Sequence, residues 1–123
     1  MIRCVSVFDL DNTLCTGKPY LVAAPIPGAV ELLAQLKLDG HAIILYTARG
    51  MGRTDGAIGP ALKQVGQITF AQLETWGFQY DEIYFGKPAA DIYFDDKSLS
   101  IKTYKEVEQH IERLNMLITC TSD

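Results

Sequence analysis

Ile2-Arg3-Cys4-Val5-Ser6-Val7-Phe8-Asp9-Leu10-Asp11-Asn12-Thr13-Leu14 is the stretch on which the reading of this chain turns. An apolar run of strand character, Ile2 to Phe8, stops at two carboxylates one residue apart, Asp9 and Asp11. A strand that runs into Asp and Asn commonly ends in a turn, which accounts for one acid. It accounts poorly for Asp-x-Asp-x-Thr, because a buried strand of this kind points its last residues into the crevice where open α/β sheets bind ligands. Two carboxylates about 4 Å apart repel by roughly 4 kcal/mol at an effective dielectric of about 20, so a cation has to offset them.

Three further strand-like runs also close on residues with chemistry to offer. His41 to Tyr46 holds Ala42-Ile43-Ile44-Leu45, apolar enough for burial on both faces, and leads into Thr47-Ala48-Arg49-Gly50. Ile83-Tyr84-Phe85 leads into Gly86-Lys87-Pro88, and Asp91 to Phe94 leads into Asp95-Asp96-Lys97-Ser98. A parallel crossover needs a dozen or so residues, and only Gly86 to Asp91 separates the last two runs, so their pairing stays open.

Between the strands lie helical patterns. Pro27 to Leu38 carries an apolar stripe of Ala29, Leu32, Leu33 and Leu36, with Pro27 at the first helical position, Ile26 as a poor N-cap and Gly40 at the C-terminal cap. Thr69-Phe70-Ala71-Gln72 reads as a capping box that opens a short helix through Trp76, stopped by Gly77. A second box, Thr103 to Glu106, opens a helix with Tyr104, Val107, Ile111, Leu114 and Ile118 on one face, expected to pack on the sheet. Residues 48–66 read as a Gly-rich substrate loop in which Arg49 and Arg53 are placed to reach an anionic group. Leu14 to Pro27 is a loop or small hairpin.

At 123 residues the chain is expected to form one domain, 1–123. A hydrophobic content of 48% with 21% charged residues is that of an ordinary globular protein, and no apolar run approaches membrane-spanning length. Met1-Ile2-Arg3 leads straight into a strand, so no signal peptide is expected. The net charge of −4 argues against nucleic acid as a partner. Cys4, Cys15 and Cys120 show no metal or redox spacing and read as reduced thiols of a cytoplasmic protein.

Asp9-Leu10-Asp11-Asn12-Thr13 resembles the first motif of the haloacid dehalogenase (HAD) superfamily. The strand closing on Thr47, the lone Lys87 and the pair Asp95-Asp96 are similar to its second, third and fourth motifs, in the family's order. The resemblance implies a doubly wound α/β domain on a mostly parallel sheet, of HAD-type Rossmann-like fold. The segment after Thr13 is too short to carry a cap domain. By resemblance, Asp9 is the nucleophile that forms an aspartyl-phosphate, Asp11 the acid and then base, and Lys87 the balancing cation. Thr47 with nearby backbone N–H groups, including that of Ala48, would hold phosphoryl oxygens. Asp9, the Asp11 backbone carbonyl and one of Asp95 or Asp96 would hold Mg²⁺.

Within the superfamily, Thr47 to Met51, Tyr80 to Pro88 and Tyr93 to Lys97 look like small capless phosphatases of capsular polysaccharide biosynthesis. Ala89-Ala90 departs from that group's pattern beside the site, which leaves the substrate open. The activity this implies is Mg²⁺-dependent hydrolysis of a phosphomonoester, with a sugar phosphate as substrate class. Capless relatives often oligomerise, so a homo-oligomer is within this reading, with neither nucleic acid nor membrane as partner. The alternatives are an idle HAD-fold binding or regulatory module and a phosphatase acting on a macromolecule. A signalling receiver domain fits less well, because Asp55 lies inside a Gly-rich stretch instead of at a strand end.

Overall fold

The computed structural model describes residues 4–51 and 58–98. In chain order these form β1 (Val5–Asp9), a 3-10 turn (Tyr20–Val22), α1 (Ala29–Leu38), β2 (Ala42–Thr47), α2 (Ile58–Trp76) and β3 (Glu82–Phe85). The sheet order is β1-β2-β3 and both pairings are parallel. Asp9 lies opposite Tyr46, and Thr47 opposite Phe85, so all three strands end at the same edge. The fold class expected from the sequence, α/β on a parallel sheet, is the one observed, with no cap domain among the described residues.

Alternation decides which residues meet the helices. Phe8, Ile43, Leu45 and Thr47 are buried on one face and join Ala29, Leu32, Leu33 and Leu36 of α1 and Leu73 of α2 around a common core. Val5 and Val7, on the other face of β1, are exposed, and Ile44 and Tyr46 are half-buried. β2 is therefore closed on one face only by described residues, where its apolar run suggested two. The helix expected from Thr103 onward lies outside the described residues.

Beyond shifts of a residue or so at strand ends, three elements depart from the sequence expectation. α1 starts at Ala29, with Gly28 as its N-cap at φ 91°, while Pro27 lies in the preceding turn. A residue with no Cβ is what permits that entry angle.

α2 is the larger difference. It begins at Ile58, so residues 58–66 are helical and not part of a loop. Gly59 and Gly66 cost about 1 kcal/mol each in a helix. Against that, Leu62, Val65, Thr69, Leu73 and Trp76 recur at helical spacing and are all buried or half-buried. Packing of that stripe outweighs the two glycines. Thr69 is consequently mid-helix and caps nothing.

The third difference is at 91–94, which forms no strand, and Ile92, Tyr93 and Phe94 are exposed. The connection from β3 is too short for a parallel return, and Pro88 within it cannot donate to a ladder.

β3 is held in register at its start by Asp81. Its N–H donates to the Ile43 carbonyl (2.9 Å), and its carboxylate accepts the Ile43 N–H (2.7 Å) and Lys37 Nζ (2.7 and 2.8 Å). The Lys37 ammonium, then the Ile43 N–H, hold this carboxyl below its ordinary range.

α2 ends where Gly77, at φ 79°, turns the chain. Its N–H donates to the Glu74 carbonyl at 3.2 Å and that of Phe78 to the Leu73 carbonyl at 3.1 Å, the Schellman pattern. A Cβ at Gly77 would meet nothing within 4 Å, so only backbone conformation resists substitution there. Gly77→Ala is expected to lower unfolding stability by about 1–2 kcal/mol in chemical denaturation. Gly77→Asn should lose less, because Asn tolerates this conformation.

Candidate functional site

The site forms at the shared strand edge. Asp9 is the last residue of β1, and its side chain alternates away from buried Phe8 toward the half-open face. Its Oδ1 is 3.2 Å from Lys87 Nζ, and its Oδ2 accepts the Thr13 hydroxyl at 3.2 Å. Lys87 reaches this position because its N–H donates to the Thr47 carbonyl (3.1 Å), carrying the β2–β3 ladder two residues past Phe85. Gly86 makes the bend at φ 102°. The Lys87 ammonium also lies 4.3 Å from the centroid of the Tyr93 ring.

Asp11 follows in a tight loop. The N–H groups of Thr13, Leu14 and Cys15 all donate to the Leu10 carbonyl, and Asn12 takes a left-handed conformation at φ 65°. Asn is among the residues that tolerate it. The loop thus turns back on itself and directs the Asp11 carboxylate inward, onto Arg49.

Arg49 is only 1% exposed, the largest fully buried side chain among the described residues. Its Nε donates to both Asp11 oxygens (3.1 Å each), and Nη2 donates to Asp11 Oδ1 (2.9 Å) and Cys15 Sγ (3.6 Å). Nη1 donates to Thr69 Oγ1 (3.0 Å) and Gln72 Oε1 (2.7 Å). The Tyr20 ring covers the guanidinium at 4.5 Å, and Gln72 Nε2 donates to the Tyr20 carbonyl. The expectation that Arg49 reaches a ligand anion is therefore corrected. A guanidinium has five N–H donors. Here all five are taken by protein.

The remaining expected site residues divide clearly. Thr47 is buried at the end of β2, where its hydroxyl accepts the Arg49 backbone N–H (3.1 Å), and Ala48 begins the turn that Met51 closes. Asp95 and Asp96 are exposed on the segment after β3. Asp95 Oδ1 accepts the Lys97 N–H at 2.8 Å, an Asx turn. Arg53 lies outside the described residues. Oxygen donors such as Asp9, Asp11, Asp95 and Asp96 are the kind Mg²⁺ takes. Among the described residues, however, no three His, Cys, Asp or Glu side chains are gathered closely enough to hold a metal.

Thr69, Gln72, Tyr20 and Cys15 were not singled out as a group by the sequence. The one available signal was the Thr-x-x-Gln spacing at 69–72, which puts two polar side chains on one helix face as readily as it caps a helix.

No family model matches the chain, and no curated protein matches it. Among solved structures the chain is similar to a structural-genomics target from Vibrio cholerae, at 27% identity and a TM-score of 0.71. That match covers 89% of this chain and 97% of the other. The chain is also similar to D,D-heptose 1,7-bisphosphate phosphatase from B. bronchiseptica, complexed with magnesium and phosphate, at 17% identity and a TM-score of 0.48. There it covers 91% of this chain and spans 63% of that protein. The first likeness shows that this arrangement of strands and helices is shared over nearly the whole of both chains. No helix among the described residues is long and apolar enough to cross a membrane.

Cys15 is fully buried, and its thiol is pushed up to about 12, first by burial and then by the neighbouring Asp11 charge. Thiolate is the reactive form, so Cys15 should be inert in the native protein at pH 8. Mass spectrometry after iodoacetamide treatment is expected to find the Cys15 peptide unmodified in the folded protein and alkylated after denaturation.

Proposed function

We propose that this protein is a HAD-type phosphatase that hydrolyses a phosphomonoester, with a sugar phosphate or related small metabolite as substrate class. The observation that carries the reading is Asp9. It ends β1 at the common strand edge, one oxygen beside Lys87 Nζ at 3.2 Å, and is the more exposed of the two acids, at 36% against 21% for Asp11. An accessible carboxylate beside a lysine and a second acid is the equipment for nucleophilic phosphoryl transfer.

In this reading an Asp9 oxygen attacks phosphorus and the phosphorus–oxygen bond to the leaving alcohol breaks. Asp11, having taken up a proton from solvent when the substrate binds, gives it to the alcohol oxygen as the bond breaks. Water then attacks the aspartyl-phosphate, Asp11 accepts its proton, and inorganic phosphate leaves with Asp9 regenerated. Lys87 faces the charge that develops on the transferring group.

The local charge balance supports a metal. Lys87 and Arg49 offset Asp9 and Asp11 and leave no net positive charge for an arriving phosphate dianion. Asp9, the backbone carbonyl of Asp11 and one of Asp95 or Asp96 would hold Mg²⁺, which keeps several waters and needs only one or two carboxylates besides phosphate. When bound it would supply charge neutralisation and polarise the phosphoryl oxygens.

The test is phosphate release from sugar phosphates, nucleotides and a phosphotyrosine peptide, with Mg²⁺ or with EDTA. Turnover is expected with Mg²⁺ and to disappear with EDTA and in Asp9→Asn. Asp11→Asn should lower kcat by about 10²- to 10⁴-fold, the usual worth of a general acid–base group. Preference for the peptide would move the substrate class to a macromolecule. A folded, inactive wild type would favour a binding module.

A further inference from the structure

Arg49 is a cation the chain has buried completely, beside the acid assigned to proton transfer. Burying a charge costs several kcal/mol unless it is paired and hydrogen-bonded, and replacing such a pair by well-packed apolar residues is often neutral or stabilising. The contacts of the pair are unequal. Asp11 Oδ1 receives Nη2 and a share of Nε, and lies 3.6 Å from the Cys15 thiol. Among the described residues, Oδ2 receives the other share of the same Nε–H. A planar fork against a carboxylate sets its plane as well as its distance. Both oxygens are held, Oδ1 by two N–H groups and Oδ2 by one, so Oδ2 keeps the larger lone-pair capacity in a side chain 21% exposed.

The fork is itself held. Thr69 and Gln72 stand one turn apart on α2 and both accept from Nη1, while Tyr20 closes the open face of the guanidinium. Gln72 also donates to the Tyr20 carbonyl, so the same amide ties α2 to the segment that covers the cation. Neither Thr69 nor Gln72 bonds Asp11, Asp9 or Lys87. Their contact with the acid runs through Arg49.

We propose that Arg49 is a positioning residue: fixed by Thr69, Gln72 and Tyr20, it holds the Asp11 carboxylate through both oxygens and leaves Oδ2, the one with fewer donors, as the proton-transferring oxygen. This rests on the phosphatase reading above. It assigns Arg49 no contact with substrate, so substrate affinity should not depend on it.

The test is a double-mutant cycle read by kcat and KM separately, with folding checked by circular dichroism and thermal unfolding. Arg49→Lys keeps the charge and loses the fork; a misplacement of about 1 Å can cost on the order of 10²-fold, and kcat should fall to that extent with KM within about threefold. In the Asp11→Asn background the same substitution should cost less than about threefold, because residues acting as a unit are not additive. Should Arg49→Lys fail to fold, Gln72→Met is read in its place, with a smaller loss of kcat and the same silence in Asp11→Asn. A rise in KM with kcat kept would overturn the proposal in favour of substrate binding. A full loss retained in Asp11→Asn would overturn it in favour of a role in stability. An inactive wild type would remove the phosphatase reading and this inference with it, whereas an active wild type with an unimpaired Arg49→Lys would remove this inference alone.

Discussion

A guanidinium with no access to water holds the functional end of this molecule together. Isolated, such a charge would be among the costliest things a small domain can bury, and removing one partner of a buried ion pair typically costs 3–5 kcal/mol. Arg49 avoids that cost only while Asp11, Thr69, Gln72, Cys15 and Tyr20 all remain in place. Three stretches far apart in the chain are thereby fixed to one another: the loop from Asp11 to Tyr20, the end of β2 and the middle of α2. The position of the second acid follows from this and not from its own backbone alone.

The two acids are served by two kinds of cation. Asp9 has a lysine, a point charge on a flexible stem, at the more open side of the site. Asp11 has an arginine whose fork dictates orientation and whose position is locked from behind. Under the proposed phosphatase reading, a nucleophile that changes its bonding would be suited to a cation that can follow the moving charge. An acid that transfers protons is suited to one that keeps it still. Neutral thiol at Cys15 belongs to the same arrangement, since a thiolate there would add a second negative charge beside Asp11 in the pocket around Arg49.

Much of the framework was legible locally. The Ile2 to Phe8 run and its abrupt acids place β1 and the edge where chemistry can occur. The stripe of Ala29, Leu32, Leu33 and Leu36 is the buried face of α1, and Gly77 ends α2. The departures have a common origin: each local signal lacks the tertiary partner that decides it. Gly59 and Gly66 look like loop punctuation, yet Leu62, Val65, Thr69 and Leu73 lie on one buried or half-buried side of a continuous helix. Asp91 to Phe94 looked like a strand until the short connection from β3 left it no partner. Thr69 and Gln72 looked like a cap until Arg49 occupied them.

The sequence by itself determined the strand–helix alternation, the edge at which Asp9, Thr47 and Lys87 collect, and the chemistry of those side chains. These follow from hydrophobic period, turn residues and the type of each side chain, all short-range properties. Only the tertiary structure decided where Arg49 sits. Whether a guanidinium faces solvent, a ligand or the interior depends on whether enough acceptors converge around it. Here they come from positions 11, 15, 69 and 72, brought together by the packing of α2 and the loop after β1.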